Sequence, residues 1–406
     1  MGTVRISGSK NAALPIMMAS VLTRGTTTLT NVPHLRDVET TRKLLLHLGC
    51  KVDPLKKGQL LIQTSRLKRP EVPYDLVKTM RASVLLLGPL IARCKKAKVS
   101  LPGGCAIGAR PINFHLSAFE KMGVKIKIEQ GYVIAEAPHL KAADIRFPDR
   151  TVTGTENLLM AACLAEGKTV LRNAAQEPEI IDLAEYLCQA GAKISGAGTD
   201  KITIFGVKRL GDCNHRIMPD RIEAGTFMIA AGLTRGDIRL KGISLEPLRA
   251  VVDKLRETGL FINEENGGIH VRCNRRPKSV DLITNPYPEF PTDMQAQFMV
   301  LMAVSNSKSV ITENIFENRF MHVSELARMG ADIRVEGKNA IVKGVKRLGG
   351  ARLMATDLRA SASLVLAGLT TKGKTRISRI YHLDRGYEQI ERKLRSLGAK
   401  IRRISE

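Results

Sequence analysis

The chain contains no tryptophan, and its aromatic residues make up only 4% of 406 positions. Its cores must therefore be filled by Leu, Ile, Val, Ala and Met. The seven cysteines (50, 94, 105, 163, 188, 213 and 273) are odd in number and none stands in a C-x-x-C pair. That pattern excludes a disulfide framework and a Cys-rich zinc site, and it suits a reducing compartment. Cys163, in Met160-Ala-Ala-Cys163, is expected to be inert core. No apolar run approaches the roughly 20 residues of a membrane span. The stretch from Ala12 to Leu22, behind Arg5 and Lys10, imitates a signal peptide. It lacks a small-x-small cleavage site and is interrupted by Pro15, so a soluble protein is expected. Acidic residues are also scarce, 39 against 64 Lys and Arg, which leaves a net charge of +25. Such a field attracts anions of any kind. The basic residues lie in turn-like segments such as 66–69, 93–98 and 402–403, with no long basic tail. Interleaved aromatics are missing too, so a specific nucleic-acid interface is not expected. Salt-dependent, sequence-independent DNA binding is the most the charge alone would give.

What the chain does have is length and repetition. Its 406 residues exceed what one compact core accommodates, which predicts two domains. A polar tip followed by a short, almost wholly apolar helical run occurs six times, at residues 9–20, 78–88, 153–163, 219–231, 291–303 and 355–367. After each run comes a β-rich stretch, then an amphipathic helix closed by a glycine stop, then alternating strands. The six stops are Gly49, Gly123, Gly191, Gly259, Gly330 and Gly398. A helix that is apolar nearly all round must be enclosed. Three such units per half predict an α/β protein of two lobes, with polar residues gathered where the buried helices begin. Helix starts carry unpaired N–H groups and partial positive charge, so a cleft faced by them suits phosphate and carboxylate.

The motifs at these tips resemble those of the UDP-N-acetylglucosamine enolpyruvyl transferases along nearly the whole chain. The matching segments include Gly8-Ser-Lys-Asn-Ala-Ala-Leu-Pro15, Tyr74-Asp-Leu-Val-Lys-Thr-Met-Arg-Ala-Ser83 and Leu101-Pro-Gly-Gly-Cys-Ala-Ile-Gly-Ala-Arg-Pro111. Others are Phe290-Pro-Thr-Asp-Met-Gln-Ala-Gln297, Phe316-Glu-Asn-Arg-Phe-Met-His322 and Tyr381-His-Leu-Asp-Arg-Gly-Tyr387. The resemblance implies a two-lobed inside-out α/β barrel of six repeated units, three per lobe. Residues 10–218 would form one lobe, residues 1–9 and 219–406 the other, and the active site would lie in the cleft between them. The chain starts about ten residues short of the family pattern, so the first strand of the second lobe is expected to be missing or replaced.

The resemblance also implies a reaction and a set of residues. The enolpyruvyl group of phosphoenolpyruvate would pass to the sugar 3-hydroxyl of UDP-N-acetylglucosamine, with release of phosphate and with no metal or organic cofactor. This is the committed step of peptidoglycan precursor synthesis in the bacterial cytoplasm, on which cell shape and division depend. Lys10, Asn11, Arg110 and Arg385 would hold phosphoenolpyruvate, the guanidinium groups by bidentate contact. Cys105 would donate the proton and could form a covalent adduct with phosphoenolpyruvate, and Asp293 would take the proton from the sugar hydroxyl. Arg81, Arg110, Pro111, Ile112, Asn113, Phe114, Arg150, Thr151, Val152, Thr153, Asp293 and Ile315 would bind the nucleotide sugar. Asn113 stands where the family more often has Asp, and Arg150 where several members have Lys; both should retune contacts rather than abolish them. Asp357 and Arg359 would support the cleft, and His115 and His382 would be structural. The glycine content of residues 106–113 suggests a lid. The closest rival is the sister family, the enolpyruvylshikimate-phosphate synthases, against which the Gly-Gly-Cys loop and the Phe-Glu-Asn-Arg-Phe segment argue.

Overall fold

The computed structural model describes residues 2–78, 80–101 and 112–404. Six internal helices organise it: α1 (Lys10–Ala19), α2 (Leu87–Cys94), α3 (Val152–Ala162), α4 (Arg221–Thr234), α5 (Gln295–Ala303) and α6 (Leu358–Gly368). Five of them coincide with apolar runs; the run 78–88 is instead mostly a 3-10 turn, and only its last two residues open α2. Every residue of α5 is buried, as are Leu87 to Ala92 of α2. Helices of this kind have no polar face to offer water, so the sheets and outer helices must enclose them. Two of them are entered through 3-10 turns, Arg81–Leu86 before α2 and Thr292–Met294 before α5.

Five four-stranded sheets share one strand order, and each repeats the same logic. A parallel pair needs a crossover, and an internal helix supplies it. Glu71–Val72 runs through α2 to Lys96–Ser100, Asp144–Arg146 through α3 to Lys168–Arg172, and Leu282–Thr284 through α5 to Lys308–Glu313. An antiparallel hairpin then completes each sheet, as Asp332–Glu336 does with Asn339–Lys343. Around α6 the described residues form only the parallel pair Arg352–Met354 and Arg376–Ser378. The six glycine stops all adopt φ between +84° and +106°. A side chain resists that left-handed backbone, which is why glycine ends each outer helix.

The described residues fall into two compact units, 2–7 with 219–404 and 8–101 with 112–218. Each has its own apolar core. The chain leaves the first unit after Ser7 and re-enters it at Pro219. An N-terminal strand is present after all: Gly2–Arg5 pairs in parallel with Asp237–Lys241. Its counterpart in the other unit is Cys213–Arg216, which pairs in parallel with Thr26–Thr30 across α1.

Candidate active site

In the unit of residues 8–218, Lys10 opens α1, and its ammonium lies 3.1 Å from the buried carboxylate of Asp37. Asp37 belongs to the next helix, Arg36–Leu48, so an outer helix fixes the lysine at the internal tip. Asn11 follows on the same first turn and is partly exposed. α1 packs against the turn Arg81–Leu86, of which Arg81 is the first residue.

Three segments of the expected nucleotide-sugar set are tied together by one residue the sequence reading passed over, Asn157 of α3. It is fully buried, and its Oδ1 accepts from Gly88 N at 2.7 Å. Its Nδ2 donates to Val84 O at 2.9 Å and stands 3.0 Å from His115 Nδ1. The amide is thereby oriented, so Nδ1 of His115 accepts and Nε2 carries the hydrogen, which it directs to Thr153 Oγ1 at 3.3 Å. Burial pushes the His115 pKa down to about 4, so the ring is neutral at neutral pH. These bonds join the Arg81 turn, the helix Asn113–Lys121 and the tip Arg150–Thr153. Thr151 caps α3, its Oγ1 accepting from Gly154 N at 3.2 Å. Ile112 begins the Asn113–Lys121 helix, its carbonyl accepting from His115 N, and Phe114 packs partly buried on the core. Val152 is the first residue of α3. Cys105, Arg110 and Pro111 lie outside the described residues, as does the lid segment short of Ile112 and Asn113.

In the unit of residues 219–404, three tips carry an aspartate. Asp220 caps α4, its Oδ1 accepting from Ile222 N at 2.8 Å and Glu223 N at 3.0 Å. Asp357 caps α6 in the same way, through Arg359 N at 2.8 Å and Ala360 N at 3.0 Å. Asp293, at the entrance to α5, gives each carboxylate oxygen to an arginine. Oδ1 accepts from Arg319 Nη2 at 2.9 Å and Oδ2 from Arg359 Nη2 at 2.8 Å. Both arginines are almost wholly buried, whereas Asp293 keeps a quarter of its side chain exposed (27%). Two charge-assisted bonds hold the carboxylate in one orientation. Burial works against the charge of Arg359, but Asp293, Tyr387 and Asp220 outweigh it and hold the guanidinium above its ordinary pKa.

The tip is braced further by Glu313. Its carboxylate accepts from Thr292 Oγ1 at 2.9 Å and from the backbone of Ile315 at 2.8 Å and Phe316 at 3.2 Å. Ile315 is thus held beside the Asp293 tip. Arg385 ends the 3-10 turn Ile380–Arg385, which packs on α6. Its neighbour Asp384 takes a bidentate pair from Arg403 at 2.9 and 2.6 Å, which anchors the turn. Arg319, Glu313 and Arg403 were not expected from the sequence, although Arg319 lies inside the quoted Phe316–His322 motif.

The family model described as EPSP synthase (3-phosphoshikimate 1-carboxyvinyltransferase) matches residues 1–394. The chain is 58% identical over 405 residues to the UDP-N-acetylglucosamine 1-carboxyvinyltransferase of Oleidesulfovibrio alaskensis, covering 100% of this chain and 97% of that one. It is 58% identical over 406 residues, with the same coverage, to the protein of that name from Geobacter metallireducens. Among solved structures, the enolpyruvyl transferase NikO from Streptomyces tendae superposes with a TM-score of 0.89 over 99% of this chain and 96% of that one, at 24% identity. An EPSP synthase from Acinetobacter baumannii gives 0.76 over 98% and 96%, at 21% identity, so these two likenesses concern the fold. The sequence relatives are close and full-length, so the chain belongs to the EPSP synthase family of carboxyvinyltransferases, in the branch of the UDP-N-acetylglucosamine 1-carboxyvinyltransferases.

Proposed function

We propose that this chain transfers the enolpyruvyl group of phosphoenolpyruvate to the 3-hydroxyl of UDP-N-acetylglucosamine and releases phosphate. The observation that carries the reading is the treatment of Asp293. Two equivalent aspartates cap their helices, while this one is turned onto two buried arginines, in a chain 58% identical to enzymes of that name. Lys10, Asn11, Arg110 and Arg385 hold the anionic groups of phosphoenolpyruvate. Arg81, residues 110–114, residues 150–153 and Ile315 hold the nucleotide sugar. Asp293 accepts the hydroxyl proton as the sugar oxygen bonds to the phosphate-bearing carbon, and Cys105 protonates the neighbouring methylene. The resulting methyl group then loses a proton, the carbon–oxygen bond to phosphate breaks, and phosphate departs with the electron pair. The role of Cys105 rests on its Gly-Gly-Cys motif.

The reading assigns the enzyme to the cytoplasm and to the committed step of peptidoglycan precursor synthesis, and so to cell shape and division. No helix among the described residues is long and apolar enough to cross a membrane. The test is mass spectrometry of the product formed in heavy water. A nucleotide-sugar product carrying deuterium on its vinyl carbon is expected. An undeuterated product would rule out methylene protonation, and an unmodified nucleotide sugar would rule out the reaction.

A further inference from the structure

The Asp293 tip is held from behind as well as from the front. Gln297, one turn further along α5 and fully buried, donates from Nε2 to the backbone carbonyl of Asp293 at 3.1 Å. Its second amide hydrogen faces the hydroxyl oxygen of buried Tyr387 at 3.0 Å and, less closely, Thr226 Oγ1 at 3.3 Å. Tyr387 in turn lies 3.0 Å from Thr226 Oγ1, and Thr226 donates to Ile222 O at 2.7 Å. With that hydrogen on the nearer acceptor, one set of directions satisfies the cluster. Thr226 gives its hydrogen to the α4 backbone, Tyr387 gives its own to Thr226, and Gln297 gives both of its hydrogens away. A flipped Gln297 amide would set its oxygen against the Asp293 carbonyl, so the orientation is fixed. The chain runs unbroken from the backbone of α4 to the backbone of the Asp293 tip. The Tyr387 ring also lies under Arg359, 5.5 Å from ring centre to guanidinium carbon, and Arg359 holds the Asp293 carboxylate.

We infer that Tyr387, acting through Gln297 and Arg359, is a positioning residue that fixes Asp293 at both its backbone and its carboxylate. The inference rests on the proposed role of Asp293 as the group that takes the hydroxyl proton. Burial keeps the phenol protonated and able to donate, against the pull of Arg359.

Tyr387→Phe keeps the ring under Arg359 and leaves the second Gln297 amide hydrogen only the longer 3.3 Å contact to Thr226. Steady-state kinetics should show kcat lowered roughly tenfold, since small displacements of a reacting group are costly, with KM for phosphoenolpyruvate within about twofold of the parent. Tyr186→Phe is the control: it too removes a buried tyrosine hydroxyl, one paired with Thr27 Oγ1 at 2.9 Å in the other unit. It should lower the melting temperature comparably and leave kcat unchanged. Thr226→Val, which removes the more distant of the two acceptors and leaves Tyr387 facing Gln297, should lower kcat less than Tyr387→Phe. An unchanged kcat in Tyr387→Phe, while Asp293→Asn abolishes turnover, would overturn the inference and leave the reading of Asp293 standing. Full turnover in Asp293→Asn would overturn both.

Discussion

His115 and His322 are buried imidazoles on opposite sides of the Pro219 crossing in sequence, and burial pushes each pKa down to about 4. For His322 the nearby Arg319 adds to that shift while Asp357 opposes it. An unfolded histidine binds its proton near 6.5, so between that pH and about 4 the unfolded chain takes up protons that the folded chain refuses. Stability that is intact above pH 6.5 is therefore lost as pH falls toward 4, by on the order of 3 kcal/mol per residue when complete. The melting temperature should fall through that window, and His115→Gln should flatten part of the slope. A slope unchanged by the substitution would show that His115 is not one of the groups responsible. The same residue illustrates the reach of sequence reading. A structural role for His115 is legible from its neighbourhood, but its partners Thr153 and Asn157, 38 and 42 positions away, belong to no local pattern. The Asp293 clamp is similar, since Arg319 and Arg359 come from 26 and 66 residues further on.

At the level of elements, periodicity made much more legible. The apolar runs are legible as internal helices because their few polar residues leave no continuous polar face, and the glycines as stops because each follows the last apolar turn. What periodicity does not encode is how the tips are tied together. Gly88 shows this: a Cβ there would sit 2.3 Å from the backbone oxygen of Asn157, so α2 and α3 approach closely because that residue has no side chain. Gly191 is the contrast, with φ at +106° and nothing within 4 Å of an added Cβ. Gly191→Ala should cost about 1 kcal/mol, the conformational term alone. Gly88→Ala should cost about 3 kcal/mol or more, because α2 and α3 must separate and strain the bond to Asn157. Urea unfolding of the two variants checks this, and equal losses would mean that the close approach does not matter.

For the whole molecule, the charge of +25 accompanies a reaction whose two substrates are both anions. Long-range attraction should raise the rate of encounter and be screened by salt. kcat/KM for phosphoenolpyruvate should therefore fall as ionic strength rises while kcat holds, and a salt-independent kcat/KM would deny the charge any such role. The fold class and the family were legible because the repeat and its tip motifs extend over the whole chain, and the relatives cover all of it. The central claim concerns the acceptor, and phosphate release from phosphoenolpyruvate tests it most directly, with UDP-N-acetylglucosamine or shikimate-3-phosphate offered separately and Cys105→Ala run beside the parent. Release that depends on the nucleotide sugar and is lost in the variant is expected; release only with shikimate-3-phosphate would contradict the assigned acceptor.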